Sequence, residues 1–183
     1  MMRMRGVATA GMLVAVILGA AALTGGSMGW FSGTRPAELG ARDGRLAPAK
    51  RSPNNVSSQA DAASDPGHYV APLSIAGEPG AAWARLLGVL RAWPRSVVVN
   101  ESGAYLHMET TTRLMGFVDD TEFLLDPAAG VIHVRAASRL GESDLGVNRR
   151  RVEAIREAYM AAGAGVPPAL PTAPTTRPGG EAK

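Results

Sequence analysis

The chain contains no cysteine. This absence excludes disulfides, thiolate nucleophiles and cysteine-based metal sites, whatever compartment the protein occupies. Lysine is almost absent as well, because Lys50 and Lys183 are the only two and arginine supplies the other basic charges. The formal net charge is only +3, and the basic residues are interleaved with acids. No basic patch with interleaved aromatic residues is present, so the sequence predicts no nucleic-acid partner.

Recognisable catalytic patterns are also missing. The sequence shows no phosphate-binding loop, no nucleophile elbow between a strand and a helix, no helical His-x-x-x-His pair and no dinucleotide glycine fingerprint. These absences favour a protein that is not an enzyme over an enzyme, and the sequence predicts neither a bound metal nor another cofactor.

A long uncharged stretch occupies the N-terminus. Residues Gly6–Gly33 carry no charge and follow Arg3 and Arg5. A run of this length can cross the ~30 Å hydrocarbon layer of a bilayer as a helix. A basic start before an apolar stretch is also the pattern of an export signal, but no clean cleavage site follows. Residues 1–33 are thus predicted to be a membrane anchor or signal, with an uncleaved anchor favoured.

This anchor predicts a location for the rest of the chain. Arg3 and Arg5 favour a cytoplasmic N-terminus, although further arginines follow the apolar run. We expect a single-pass protein of a bacterial cytoplasmic membrane, with its domain on the periplasmic or extracytoplasmic side. The membrane is then one partner, and an envelope protein or a lipid is a second possibility.

The remaining sequence divides into three parts by composition. Residues 34–79 are rich in Pro, Gly and Ser and predict an irregular arm. Residues 80–162 alternate apolar and polar residues in regular patterns and predict the core of the domain. Residues 163–183 are rich in Pro, Thr and Gly, which is typical of a disordered tail that does not pack.

The fold predicted for the core is α+β, a four-stranded, mainly antiparallel meander with two helices on one face, preceded by an N-terminal transmembrane helix. An apolar stripe from Trp83 to Trp93 predicts the first helix, over Gly80–Trp93. A second stripe, of Val152, Ile155 and Tyr159, predicts the other helix, over Asn148–Ala162. The strands are predicted at residues 96–100, 104–111, 119–126 and 131–138.

The turn between the last two strands predicts their register. If Asp126 and Val131 close a four-residue loop, the side chains alternate between the two faces of the sheet. One face then carries the pairs Leu125–Ile132 and Phe123–Val134, and the other carries Leu124–His133 and Glu122–Arg135. The first face requires a covering helix, whereas the second offers Arg135 an acidic partner across the strands.

Several polar side chains of the sheet are predicted to share that second face. His107, Asp120 or Glu122, and His133 can converge there if the middle strands are neighbours. Such a group suits general acid–base catalysis or a weak metal site. The simpler interpretation, a solvent-facing sheet with compatible charges, is favoured. The catalytic candidates, if the protein is an enzyme, are His107, Asp120 and Glu122.

A loop between Gly141 and Gly146 precedes the second helix and can present backbone N–H groups to an anion. Its acids, Glu142 and Asp144, oppose that role. We instead expect Asp144 or Ser143 to close the turn and Asn148 to cap the helix. The candidate binding residues around this loop are Arg135, Arg139, Asp144, Asn148 and Arg149.

Several motifs resemble a known family. The segments "GTRPAELG", "SPNNVSS", "FVDDTEF", "VIHVRAASRLG" and "SDLGVNRRRVEAIR" are similar to those of the family catalogued as domain of unknown function 1499. The resemblance spans roughly residues 33–159 and implies a membrane-associated or exported protein of uncharacterised activity. Where the family usually has two cysteines, this chain has Ala49 and Asn55, so a looser segment from Ser52 to Ser58 is expected.

Three functions remain open from the sequence. The first is a non-catalytic, membrane-tethered envelope domain that binds another molecule. The second is a metal-independent hydrolase of envelope substrates, with Arg135 and Arg139 as an anion clamp. The third is a lipid-binding protein, which requires an apolar cavity between sheet and helices.

Overall fold

The computed structural model describes residues 31–113, 115–166 and 170–171. The fold is α+β, with one mostly antiparallel sheet and two helices. The elements in chain order are β1 (Asn55–Ser57), β2 (Leu73–Ser74), α1 (Pro79–Arg91), β3 (Ser96–Ser102), β4 (Tyr105–Thr111), β5 (Val118–Asp126), β6 (Val131–Ser138) and α2 (Val147–Gly163).

Most of the predicted anchor, at residues 1–33, lies outside the described residues, as does most of the predicted tail at 163–183. Within the described ranges, no helix combines the length and apolar character needed to cross a bilayer. Leu170, in the described part of the tail, packs against the hydrophobic core, although the tail was expected not to pack. Its apolar side chain gains burial there despite its Pro-rich neighbourhood.

The sheet has six strands, so the prediction of four was wrong. β3, β4, β5 and β6 form the predicted antiparallel meander. β1 and β2 both pair with β6, at different places along its outer edge. The edge of β6 would otherwise present unpaired N–H and C=O groups, and the arm supplies partners for them. Strands of three and two residues are too short to show an alternating pattern in the sequence.

The predicted register of the β5–β6 hairpin is confirmed. Leu125 pairs with Ile132, Phe123 with Val134, Leu124 with His133 and Glu122 with Arg135. The four-residue turn alone was enough to predict it, because turn length determines which residues of a hairpin are opposite.

One face of the sheet packs against both helices. Phe123, Ile132 and Val134 are fully buried there. The predicted stripe of α2, formed by Val152, Ile155 and Tyr159, lies in the same core. Leu86 and Leu90 of α1 join it, and so does Trp93, which follows that helix. Glu78 caps α1 by accepting a hydrogen bond from the Ala81 N–H at 2.9 Å. The helices thus cover the face that the register marked as apolar.

The start of α2 differs from the prediction, because Asn148 does not cap it. Asp144 instead accepts hydrogen bonds from the N–H groups of Gly146 (2.9 Å) and Asn148 (2.7 Å). The Asn148 side chain is buried and donates to the Asn54 carbonyl and to Ser138 Oγ, each at 3.0 Å. The side-chain amide of Asn148 therefore makes tertiary hydrogen bonds, although the local sequence predicted that it caps the helix.

The opposite face of the sheet is covered by residues 31–46, here called the cover segment. Arg35 binds Glu109, the Gly40 N–H donates to Glu122, and Leu46 joins Tyr105 and Leu124 in a second apolar cluster. The expectation that this polar face meets solvent was wrong. Sequence alternation shows which side chains share a face, but it does not show what a distant segment places on top of them.

Candidate functional site

The centre of the polar face is an ion pair between Glu122 and Arg135. Arg135 Nη1 donates to Glu122 Oε2 at 2.8 Å, and the side chains of Arg135 and Glu122 are 1% and 0% exposed. The other carboxylate oxygen accepts from the Tyr105 hydroxyl and from the Gly40 N–H, each at 2.8 Å. A buried carboxylate needs such saturation, because an unpaired charge away from water is costly.

A second cluster forms around Arg139, the first residue after β6. Its guanidinium donates to both oxygens of Asp120, at 2.8 and 2.9 Å, and also to Glu109. His107 Nε2 lies 2.8 Å from Asp120 Oδ1. Arg35 from the cover segment donates to Glu109 Oε1 at 2.7 Å. The two-pronged contact with Asp120 is the geometry in which a guanidinium binds a carboxylate most strongly.

The electrostatics of this face follow from burial and from these partners. Burial alone raises the pKa of Asp120, but hydrogen bonds from Arg139 and His107 outweigh it and lower that pKa. Burial alone also raises the pKa of Glu109, but hydrogen bonds from Arg139 and Arg35 outweigh it and lower that pKa. Burial and the Glu122 charge both raise the pKa of Tyr105. The acids are thus held ionised and the phenol protonated near neutral pH.

His107, Glu109 and Asp120 have the spacing of a metal site. One ligand atom from each lies within 4.8 Å of the others. Arg139 donates hydrogen bonds to both carboxylates of the group, so its fixed positive charge already neutralises the oxygens that a cation would use. The residues present therefore suit a guanidinium in this position and oppose a divalent metal.

The predicted binding residues do not assemble into one site. Arg135 and Arg139 pair with acids of the polar face, while Asp144 caps α2. Arg149 donates to the carbonyls of Tyr69 and Gly67 at 2.7 and 2.8 Å, and so ties α2 to the arm. Each group has a partner within the domain, as expected for residues that support a scaffold.

A buried ion pair on the helix side was missed from the sequence. Arg151 Nη2 lies 2.5 Å from Asp119 Oδ2, and Arg151 also donates to Asn148 Oδ1 at 2.6 Å. The run Arg149–Arg151 did not reveal which arginine faces inwards. Arg151 lies three residues after the buried Asn148 and four before the buried Ile155, so helical spacing is the signal that could have identified it.

A second missed group lies near the turn of the last hairpin. His133 Nδ1 is 3.3 Å from Ser58 Oγ, and its Nε2 is 3.7 Å from Asp126 Oδ2. Ser58 Oγ also accepts the Val134 N–H at 2.9 Å, so its own proton is free to point to His133. The three side chains line an open cleft of about 740 Å³. Ser58 lies on the arm, and no pattern in the sequence linked it to this hairpin.

The segment from Ser52 to Ser58, which was expected to be loose, is held by hydrogen bonds. Asn55 Oδ1 accepts the Lys50 N–H at 3.0 Å, and its Nδ2 donates to the carbonyls of Lys50 and Ser52. Residues 54–58 are all buried. Side-chain hydrogen bonds thus close this turn in a chain without cysteine.

A family model described as "Protein of unknown function (DUF1499)" matches residues 45–159. No curated protein and no solved structure matches the chain.

Proposed function

The chain belongs to the DUF1499 family, and we propose that it is a non-catalytic interaction domain held at the outer side of a bacterial cytoplasmic membrane by its N-terminal segment. The uncharged run Gly6–Gly33 supports the anchor. The closed ion-pair network of the polar face supports a non-catalytic role, and it is the observation on which this proposal depends.

Both the access to this network and its charge balance disfavour catalysis. On the polar face three arginines (Arg35, Arg135 and Arg139) are matched by three carboxylates (Glu109, Asp120 and Glu122). His107, the candidate base, is buried and lies against Asp120 beneath the cover segment. General acid–base catalysis requires the group to reach a substrate proton at hydrogen-bond distance. The arrangement instead matches polar groups that stabilise one fold and one position of the arm.

Anchoring and orientation are tested with the full chain in bacteria. Because the protein has no cysteine, Met160→Cys places a single thiol on an exposed position of α2. We expect a membrane-impermeant maleimide to label this thiol in intact spheroplasts, and the protein to stay with membranes after an alkaline carbonate wash. Ala82→Cys, at a fully buried position, is the control for unfolded protein. Labelling of Met160→Cys only after lysis, or release by carbonate, contradicts the proposal.

The non-catalytic role is tested by complementation of a deletion strain. His107→Gln and Asp120→Asn should complement in proportion to the folded protein found in the membrane fraction. A variant that reaches wild-type amounts of folded protein and yet fails to complement contradicts this role.

Hydrolysis of an envelope ester is the second candidate, and the Ser58–His133–Asp126 arrangement is what favours it. His133 is placed to take the hydroxyl proton of Ser58, as in nucleophilic catalysis by serine. A fluorophosphonate probe on the purified full chain tests it, with Ser58→Ala as the control. Labelling of the wild type that Ser58→Ala abolishes would favour the hydrolase over the binding domain.

The third function, lipid binding inside the domain, receives no such support. It requires space between the sheet and the helices. Fully buried side chains, among them Leu86, Phe123 and Ile155, lie in that layer.

A further inference from the structure

One end of the domain presents apolar side chains to solvent. Leu145 is 83% exposed and Leu140 is 42% exposed, both in the loop between β6 and α2. With Phe117 and Val147 they line a mainly apolar depression of about 280 Å³. We call this surface, formed by Phe117, Leu140, Leu145 and Val147, the apolar end. Single exposed leucines are common on protein surfaces, whereas a contiguous apolar patch of this kind marks a site of contact with a membrane or another molecule.

Leu145 adopts an unusual backbone conformation, and hydrogen bonds support it. Its φ is +52°, in the left-handed region that a leucine rarely adopts. Its N–H donates to Ser143 Oγ at 3.3 Å, and its carbonyl accepts from Arg150 Nη1 at 2.9 Å. Asp144 anchors the following turn through Gly146. The loop is built so that this side chain points outwards, and such strain is commonly retained at functional sites.

The N-terminal part of the chain arrives at this same end. Phe31 lies against Phe117, with ring centroids 5.5 Å apart. Gly33 packs so closely that a Cβ there would lie 2.9 Å from Arg139 Cβ and 3.0 Å from Leu140 Cγ. If a span takes about twenty of the uncharged residues after Arg5, about five remain before Phe31. They reach at most about 20 Å, so such a span would keep the apolar end within that distance of the membrane.

Basic side chains adjoin the apolar end. Arg95, Arg113 and Arg150 are exposed and line a neighbouring depression that shares Thr112 and Val147 with the first one. Of the two acids in the loop, Asp144 is engaged by backbone N–H groups and Glu142 is exposed. Apolar side chains bordered on one side by arginines complement a lipid surface with anionic headgroups.

We propose that the apolar end docks on the anionic lipid surface of the membrane that holds the anchor, with Leu145 inserted among the acyl chains and Arg113 beside the headgroups. This inference depends on the anchoring proposed above and adds the orientation of the domain. The lipid surface, and not a second protein, is the occupant that the chain path and the charge favour.

The test uses the full chain reconstituted into vesicles. Leu145→Cys carries an environment-sensitive fluorophore, and nitroxide groups on the lipid acyl chains act as quenchers. Met160→Cys, 63% exposed, is the matched control, because it lies thirteen residues along α2 from Val147, or ~20 Å away. The vesicles contain phosphatidylcholine alone or phosphatidylcholine mixed with phosphatidylglycerol.

We expect strong quenching at position 145 and little at position 160, with more quenching at 145 when phosphatidylglycerol is present. Adding Arg113→Gln should remove most of that dependence on phosphatidylglycerol. A fluorophore at position 145 that stays exposed to water overturns the docking. Shielding of that fluorophore that rises with the density of protein in the vesicles, and does not respond to the lipid quencher, overturns it as well. If the protein still floats with the vesicles after a carbonate wash, the anchoring stands and only the docking fails.

Discussion

Arg139 shows at the scale of one residue how a possible active site becomes part of the scaffold. Its guanidinium contacts both Asp120 and Glu109, which with His107 have the spacing of metal ligands. A positive charge fixed by the chain has the same neutralising effect as a bound cation, without requiring a metal. The sequence predicted that His107 can meet Asp120 or Glu122, and the structure joins it to Asp120. The sequence did not show that Arg139 lies between the acids.

Arg139→Ala tests this interpretation. Removing one partner of a buried ion pair leaves uncompensated charge, so we expect the free energy of unfolding to fall by about 3–5 kcal/mol. The carboxylates and His107 then become available, so zinc should raise the melting temperature of the variant but not that of the wild type. Calorimetry with and without zinc measures both effects.

The control for that experiment is the double variant His107→Ala with Arg139→Ala, which should lose the response to zinc. Zinc stabilisation of the wild type by the same amount would show that Arg139 does not occupy the place of a cation.

At the scale of elements, the arm proves to be part of the folded domain. β1 and β2 extend the sheet, and the cover segment seals its polar face. Leu46 carries the apolar contact of that segment, in a cluster with Tyr105 and Leu124. These contacts join residues far apart in sequence, so no local pattern of an irregular, Pro-rich segment could predict them.

Leu46→Ala should therefore loosen the cover segment. Truncation of a buried leucine costs about 2–5 kcal/mol, and we expect a lower urea midpoint and faster proteolysis within residues 31–46. Leu145→Ala is the matched control, because the same truncation at an exposed position should change stability by less than about 0.5 kcal/mol. Equal effects of the two substitutions would contradict the role of Leu46 in holding the cover.

Asp144→Ala tests the cap of α2. Two N–H groups lose their acceptor, so we expect a loss of about 1 kcal/mol in the free energy of unfolding. Glu142→Ala, at an exposed position of the same loop, should have little effect. A larger loss for Asn148→Ala than for Asp144→Ala would be consistent with Asp144 as the cap. The Asn148 side chain is fully buried and makes three hydrogen bonds of its own.

For the whole molecule, the polar face predicts how stability depends on pH. The pKa values of Asp120 and Glu109 are lowered in the folded state. Their contribution is thus present above the unfolded pKa values, about 4, and is lost as pH falls through the folded ones. We expect the free energy of unfolding to be level from about pH 7 to 5 and to fall steeply below about pH 4.

Denaturant titrations across this pH range measure the effect. Asp120→Asn should be less stable at neutral pH and should show a shallower decline in acid, because one of the two carboxylates no longer titrates. An unchanged slope in Asp120→Asn would show that other acids produce the dependence.

The strand meander, the hairpin register and the apolar stripes of both helices could be predicted from the residues alone, because they depend on side-chain periodicity and turn length along a continuous stretch. Three features could be seen only in the folded chain: Glu122, Arg135 and His107 are buried, Arg139 joins two acids, and Ser58 meets His133. Those outcomes depend on segments distant in sequence, such as the cover segment over β4 and β5, and such contacts leave no periodic signal in the residues that make them.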